Sequence, residues 1–250
     1  MLVHGAAVGR KYHEYVEGQF IPIGSMKNNI VQKSHDNKPN RSIIYISFMD
    51  PPTEKSSPLW VGHDKRPISW DQLLAAEAIV LSFLKQYCCN RGFVLKICVR
   101  SPLQDGDEYH HFEQLLGVGN WEFIPRSHML SSYELIDQAF ANVVIWSTLG
   151  YESIGRGNRT VFFPIIGHTI NNSSSNFGWP ADLPDNGPFW TNNNDEREFE
   201  RVMDYITTVS DEEWEETRQR YVSELIEYDP GNTRFIKLMR ELGVPLNPEY

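Results

Sequence analysis

Apolar and polar positions along this chain fall into blocks, and the blocks switch between two periods. Short β-branched or wholly apolar runs over 42–48, 93–99, 121–124, 143–146 and 160–163 read as buried strands bounded by turn residues. Between them, Leu73, Leu74, Ala78, Leu81 and Leu84 recur at helical spacing and predict an amphipathic helix over 70–89. Shorter helices are predicted over 109–116, 132–140 and 149–156, the second capped by Ser131 or Ser132 with Glu134 nearby. This alternation predicts an α/β fold, a Rossmann-like doubly wound parallel sheet over 42–164 with 143–146 as an internal strand.

The flanks read differently. Residues 2–5 look like a strand stub ending in a loop, with no partner strand in the first forty residues. A polar stretch follows, then a short strand over 19–23, and then a polar surface loop over 32–41. Residues 49–69 read as a long loop with four prolines. Residues 167–194 are rich in Asn, Ser, Gly and Pro and show no periodicity; loops of that length in compact proteins are more often functional or mobile than idle. Helices are predicted over 195–208, 211–228 and 233–242, with Asp211, Glu212 and Glu213 in a first turn that complements the helix dipole.

Forty per cent apolar residues, with 7 Trp, 13 Phe and 11 Tyr in 250, supply a substantial core and exclude wholesale disorder. The net charge of −10 argues against a general nucleic-acid binder but leaves room for a local basic pocket. Cys88, Cys89 and Cys98 lack metal-ligand spacing and read as reduced, mostly buried thiols. No apolar run approaches the roughly 18–20 residues that cross a bilayer, and residues 1–10 lack the features of a signal peptide. The expectation is a cytoplasmic protein, at most peripheral at the inner face of a membrane.

Candidate chemistry gathers at the predicted strand ends. Ser147 and Thr148 join a strand to a helix, where free amides, hydroxyls and the helix dipole can hold a phosphate. The alternative there is an ordinary helix cap. Leu149 and Gly150 carry the next amides, and Glu152, one turn beyond Thr148, can accept hydrogen bonds from a sugar diol. Arg100 closes the 93–99 strand and can pair with a phosphate or carboxylate, or form a surface salt bridge. Ser47 ends the first Rossmann strand, as a ligand contact or a turn former. Gly24, Ser25, Asn28 and Asn29 form a turn ahead of the sheet, as donor contacts or a plain linker turn. His110 and His111, beside Glu108 and Glu113, leave a helix on different faces, so they read as an exposed helix start rather than a metal site. Glu108 opens that helix and can face the crevice. No cofactor or metal is expected.

The runs His4-Gly5-Ala6-Ala7, Ile23-Gly24-Ser25-Met26-Lys27-Asn28-Asn29, Ser132-Tyr133-Glu134-Leu135-Ile136-Asp137 and Ser147-Thr148-Leu149-Gly150-Tyr151-Glu152 resemble GT-B glycosyltransferases of the bacterial surface-carbohydrate group. The nearest kinds are the CDP-glycerol glycerophosphotransferases and the capsule Kdo transferases. The resemblance runs over 3–165 and is most specific over 132–163. It implies the carboxyl-terminal, donor-binding half of a transferase, with 1–41 a remnant of an amino-terminal domain plus linker and 42–250 the nucleotide-donor domain. The implied partners are a nucleotide-activated sugar or polyol phosphate, a saccharide or lipid-linked acceptor, and an amino-terminal domain or partner subunit.

Under the resemblance Ser147, Thr148, Leu149, Gly150, Glu152, Arg100, Ser47, Gly24 and Ser25 contact the donor. His4 resembles the proposed base of a His-Gly-Thr-Pro motif, with Ala6-Ala7 in place of Thr-Pro; the alternative is a structural or solvent-exposed histidine. Arg100-Ser101-Pro102 stands where Lys-x-His-Pro is commoner. Two other functions stay open: a catalytically silent carbohydrate-assembly domain, and a GT-B-fold nucleotide-sugar epimerase, whose further acid–base carboxylates the sequence does not identify.

Overall fold

The first thirty residues form a small unit of their own. Leu2–Val3 (β1) and Ile21–Pro22 (β2) pair in parallel, Leu2 opposite Ile21 and Val3 opposite Pro22, with helix Ala6–His13 (α1) between them. The expectation of an unpartnered stub is therefore wrong, because α1 supplies the crossover that parallel pairing requires. This helix lies in what reads as a polar stretch; its buried positions are Ala7 and Gly9, too small to register as an apolar stripe. The expected turn at Gly24–Asn29 is also more regular than it reads. Ser25 accepts a hydrogen bond from the Asn28 amide and opens the short helix Met26–Ile30 (α2).

A computed structural model of the chain describes residues 1–33, 40–48, 59–61, 66–103 and 106–245. Most of the expected 32–41 loop lies outside the described residues. Ser42–Ile46 (β3) has every position buried, as a strand covered on both faces must. Leu59–Val61 (β4) and Arg66–Ile68 (β5) pair antiparallel inside the region that reads as a proline-rich loop. Helix Trp70–Arg91 (α3) opens on a reciprocal Ser69–Gln72 capping box and stops at Gly92, whose φ of +68° is left-handed. There follow Val94–Cys98 (β6), Asp107–Leu116 (α4), Trp121–Ile124 (β7), Ser131–Gln138 (α5), Ala141–Val144 (β8), Thr148–Gly155 (α6) and Thr160–Phe162 (β9).

These strands are parallel in the order β7-β6-β3-β8-β9, so the expected doubly wound sheet is present and β8 is internal to it. The strand begins before residue 143 and the sheet ends at Val144; Ile145 stays buried while Trp146 emerges. Helices cover both faces: α3 packs on α4, and α6 packs on α5. Neither Ser131 nor Ser132 caps α5. The residue before the helix is Leu130, and the Ser131 hydroxyl donates instead to the His128 carbonyl (2.9 Å), closing the preceding turn.

Residues 167–194 are not simply a loop. Helix Ile166–Ile170 (α7) leads into them, and Asn186–Gly187 (β10) with Trp190–Thr191 (β11) extends the sheet, β11 running parallel to β9. Strands of two residues are too short to show a period. Aromatic burial holds them in place, with Phe177 lying 4.6 Å from Phe162 and 4.8 Å from Trp190 between ring centroids.

Helices Glu196–Thr208 (α8), Asp211–Val222 (α9) and Thr233–Glu241 (α10) complete the chain. Helix α9 stops short of the expected residue 228 because the backbone beyond it clasps the amino-terminal unit. Ala7 N–H donates to Glu224 O (2.9 Å), Glu227 N–H to His4 O (2.8 Å), and Asp229 N–H to Asn29 Oδ1 (3.0 Å).

Candidate functional site

The strand order reverses direction between β3 and β8. In an open parallel sheet, ligands bind outside the carboxyl ends of the strands at that switch point. Ser47 follows β3, Arg100 follows β6, and Ser147 and Thr148 follow β8. All four line one cavity of about 230 Å³, together with Leu149, Glu152, Lys27, Arg126 and Tyr133.

Ser147 has an extended backbone (φ −154°, ψ 136°) and its side chain makes no capping bond, so its hydroxyl is not spent on α6. The first amides of a helix have no carbonyl within it to pair with, which leaves donors at this end of α6. Gly150 is placed differently. It is buried, its amide donates to Ser147 O (3.1 Å), and a Cβ on it would lie 2.5 Å from Val144 Cγ2. What this glycine provides is the close approach of α6 to β8.

Glu152 is buried and accepts a hydrogen bond from the Tyr133 phenol at 2.9 Å. Ser25, whose hydroxyl accepts the Asn28 amide (3.4 Å), lies beside the Tyr133 phenol. Burial, reinforced by the Glu152 charge, raises the pKa of Tyr133 and keeps it a donor. The Lys27 ammonium stands 5.6 Å from the centre of the Tyr133 ring. Arg126 is held by its own amide on Ser101 O (2.9 Å) and by its guanidinium on Met129 O (3.3 Å). Lys27, Arg100 and Arg126 thus give a local positive mouth to a chain of net charge −10.

Glu108 is buried beneath this mouth. Its carboxylate accepts the amides of Ser101 (2.9 Å) and Arg100 (3.4 Å), so it fixes the backbone that carries Arg100. Cys98 also borders the cavity, but burial pushes its thiol up to about 11, which makes it a poor nucleophile near neutral pH.

Gly24, Asn28 and Asn29 sit at a structural joint instead. Gly24 has φ +70° and backs onto the Glu227 carbonyl. Asn29 donates to Ile23 O (2.8 Å) and Asn232 Oδ1 (3.0 Å), and both asparagines are buried. Arg156, which the sequence reading passed over, bolts the same joint. Its guanidinium pairs with Asp137 and donates to Val31 O (2.8 Å) and Asn28 Oδ1 (3.2 Å).

His4 does not line the cationic cavity. It is exposed at the rim of a second hollow, of about 220 Å³, which shares Ser147 and Thr148 with the first. The two adjacent histidines do leave α4 on different sides. His110 is exposed, but His111 is not: its ring lies 2.7 Å from Glu77 Oε2, and Glu77, fully buried, also accepts the Tyr45 phenol at 2.8 Å. A buried carboxylate needs such partners. Among the described residues, no group of three His, Cys, Asp or Glu could hold a metal ion, and no helix is long and apolar enough to cross a membrane.

Sequence reasoning missed Lys27, Arg126 and Tyr133 as individuals. Arg126 stands just beyond the end of β7, the position that drew attention to Arg100, so the same signal could have found it. Lys27 and Tyr133 give no local signal, because only the packing of α2 and α5 brings them to the cavity.

A family model described as "putative O-antigen biosynthesis protein" matches residues 1–243. No curated protein matches the chain in sequence. Among solved structures, one of a "putative UDP-N-acetylglucosamine 2-epimerase" from Listeria monocytogenes superposes with a TM-score of 0.52 at 9% identity, covering 95% of this chain and 57% of that one. Sucrose-phosphate synthase from Thermosynechococcus elongatus aligns at 13% identity and a TM-score of 0.48, over 97% of this chain and 56% of that one. The wall teichoic acid polymerase TagF aligns at 11% identity and a TM-score of 0.47, with the same coverages. The first likeness shows a Rossmann-like fold of the GT-B kind, and this chain spans a little over half the length of these structures.

Proposed function

The chain belongs to the O-antigen biosynthesis protein family, and from that premise we propose that it binds a nucleotide-activated sugar or polyol phosphate as the donor side of a GT-B-type transferase. The observation that carries this reading is the convergence of Ser47, Arg100, Ser147, Thr148 and Glu152 in one cavity at the switch point of the sheet.

The donor phosphate rests on the hydroxyls of Ser147 and Thr148 and on the first amides of α6. The positive end of the helix dipole favours it there. Lys27, Arg100 and Arg126 offset the charge that grows on the departing nucleotide, the kind of fixed electrostatic support that lowers a transfer barrier. Glu152, oriented by Tyr133, accepts hydrogen bonds from ribose or sugar hydroxyls. His4, on the far side of Ser147 and Thr148, takes the proton of the acceptor hydroxyl. On this reading residues 42–250 are the donor lobe and 1–41 lead to an acceptor-side lobe, which closes the cleft and excludes water.

Isothermal titration with CMP, CDP, UDP and GDP tests the assignment. At least one nucleotide is expected to bind, and Thr148→Val to weaken it about tenfold or more, since a charge-assisted hydrogen bond is worth roughly 1.5–3 kcal/mol. Glu152→Gln, which keeps an acceptor for Tyr133, is expected to weaken it as well. Equal affinities in the wild type and both folded variants, or no binding by any nucleotide, would overturn the reading.

A further inference from the structure

Ser147 and Thr148 separate two cavities of opposite chemistry. The one away from the cationic mouth is walled by Trp146, Tyr151, Trp179 and Pro180, with His4 at its rim, and none of its lining residues is Lys, Arg, Asp or Glu. Trp146 is 49% and Trp179 51% exposed, whereas Trp190, Phe189 and Phe163 are fully buried. Two half-exposed indoles in one hollow keep a large apolar surface in water, which marks a binding site.

Neither indole stands on a loose segment. Trp146 follows Ile145, which is 1% exposed at the end of β8. Trp179 is preceded by Phe177, buried in the aromatic core, and by Gly178, whose amide donates to the Tyr151 phenol at 3.0 Å. The Tyr151 and Phe177 rings stack with centroids 5.8 Å apart, and the Trp179 amide donates to Asn176 O (3.3 Å). The backbone beneath both rings is ordered in advance, so a ligand need not supply that ordering.

We propose that this hollow is a pyranose subsite. One sugar ring lays its C–H face on Trp146 and Trp179, and its hydroxyls reach His4, Ser147 and Thr148. An indole offers a broad apolar face whose negative π surface attracts C–H groups. The volume of about 220 Å³ has room for a single ring. The lack of charged side chains suits a neutral ring, while the cations sit where a phosphate goes. The subsite rests on the donor-binding reading. The ring is the sugar of the donor or the terminal sugar of the acceptor, and both have the same stacking chemistry.

Titration calorimetry and saturation-transfer NMR on the full chain separate these sources. The probes are UDP and CMP alone, UDP- and CMP-linked sugars, and free methyl pyranosides and short oligosaccharides. Trp179→Ala is expected to weaken the sugar-bearing ligands about three- to tenfold, with Trp179→Phe retaining most of the affinity. Nucleotide alone responds to Thr148→Val and not to Trp179→Ala. A loss confined to nucleotide sugars identifies the donor ring, and a loss confined to free saccharides the acceptor ring. Wild-type affinity for every sugar in Trp179→Ala, or no sugar signal from the wild type, overturns the subsite even where nucleotide binding stands. Failure of nucleotide binding leaves the free-saccharide arm to decide the subsite by itself.

Discussion

The phenol of Tyr133 donates to Glu152 inside the protein, so removing its oxygen strands a buried carboxylate. Tyr133→Phe is expected to destabilise the fold by about 1–3 kcal/mol in urea denaturation. The effect depends on pH with a definite sign. Burial raises the folded-state pKa above the ordinary value of 10.0, so the neutral phenol is the form that stabilises the native state. That contribution is complete below pH 10 and fades as the pH rises past it toward the folded-state value. The difference between wild type and Tyr133→Phe should therefore shrink on alkaline titration. A difference that stays constant from neutral pH to well above 10 would refute the linkage. At this scale the sequence identifies residue types at strand ends, Ser147, Thr148 and Arg100, but not which of their neighbours are already engaged.

Helix α6 owes its place to one missing methyl group. A Cβ on Gly150 would stand 2.5 Å from Val144 Cγ2, so Gly150→Ala is expected to cost about 1–3 kcal/mol through overpacking, read as a lower urea midpoint. Adding Val144→Ala relieves the clash, and the double variant should be less destabilised than the sum of the two singles. The opposite end of α6 is fixed by charge. The Arg156 side chain is fully buried and its partner Asp137 nearly so, and breaking such a pair from one side typically costs about 3–5 kcal/mol. Arg156→Met is expected to show that loss and to expose residues 1–33 to limited proteolysis, since Arg156 also holds the Asn28 and Val31 carbonyls. Wild-type resistance to protease in that segment would show that the clasp of residues 223–232 suffices alone. Neither contact is visible in a helical period, because one is made by an absent atom and the other joins Arg156 to Asp137 in the preceding helix and to Asn28 and Val31, more than a hundred residues away.

At the scale of the whole molecule, the proposal that 42–250 form a donor lobe makes a prediction of its own. Saturating nucleotide is expected to raise the thermal unfolding midpoint of the chain, because a ligand that binds only the native state stabilises it. An unchanged midpoint with CMP, CDP, UDP and GDP alike would overturn the assignment of the lobe. The parallel sheet itself was determined by the sequence alone. Burial on both faces makes β3 apolar over most of its length, β6 is apolar except for Lys96 and β8 except for Asn142, and the helical spacing in α3 records which side meets the sheet. Those are local requirements, and each leaves its mark on consecutive residues. The order of the strands then places Ser47, Arg100 and Ser147 at one switch point. Only the tertiary structure decided the rest: the pairing of β1 with β2, the addition of β10 and β11 through buried aromatics, and the arrival of Lys27, Arg126 and Tyr133 at the cavity. It alone also brought Trp146 and Trp179 into the lining of one hollow. Contacts between distant segments are chosen by how well their surfaces pack once the chain has closed its loops, and no pattern of neighbours along the chain encodes that choice.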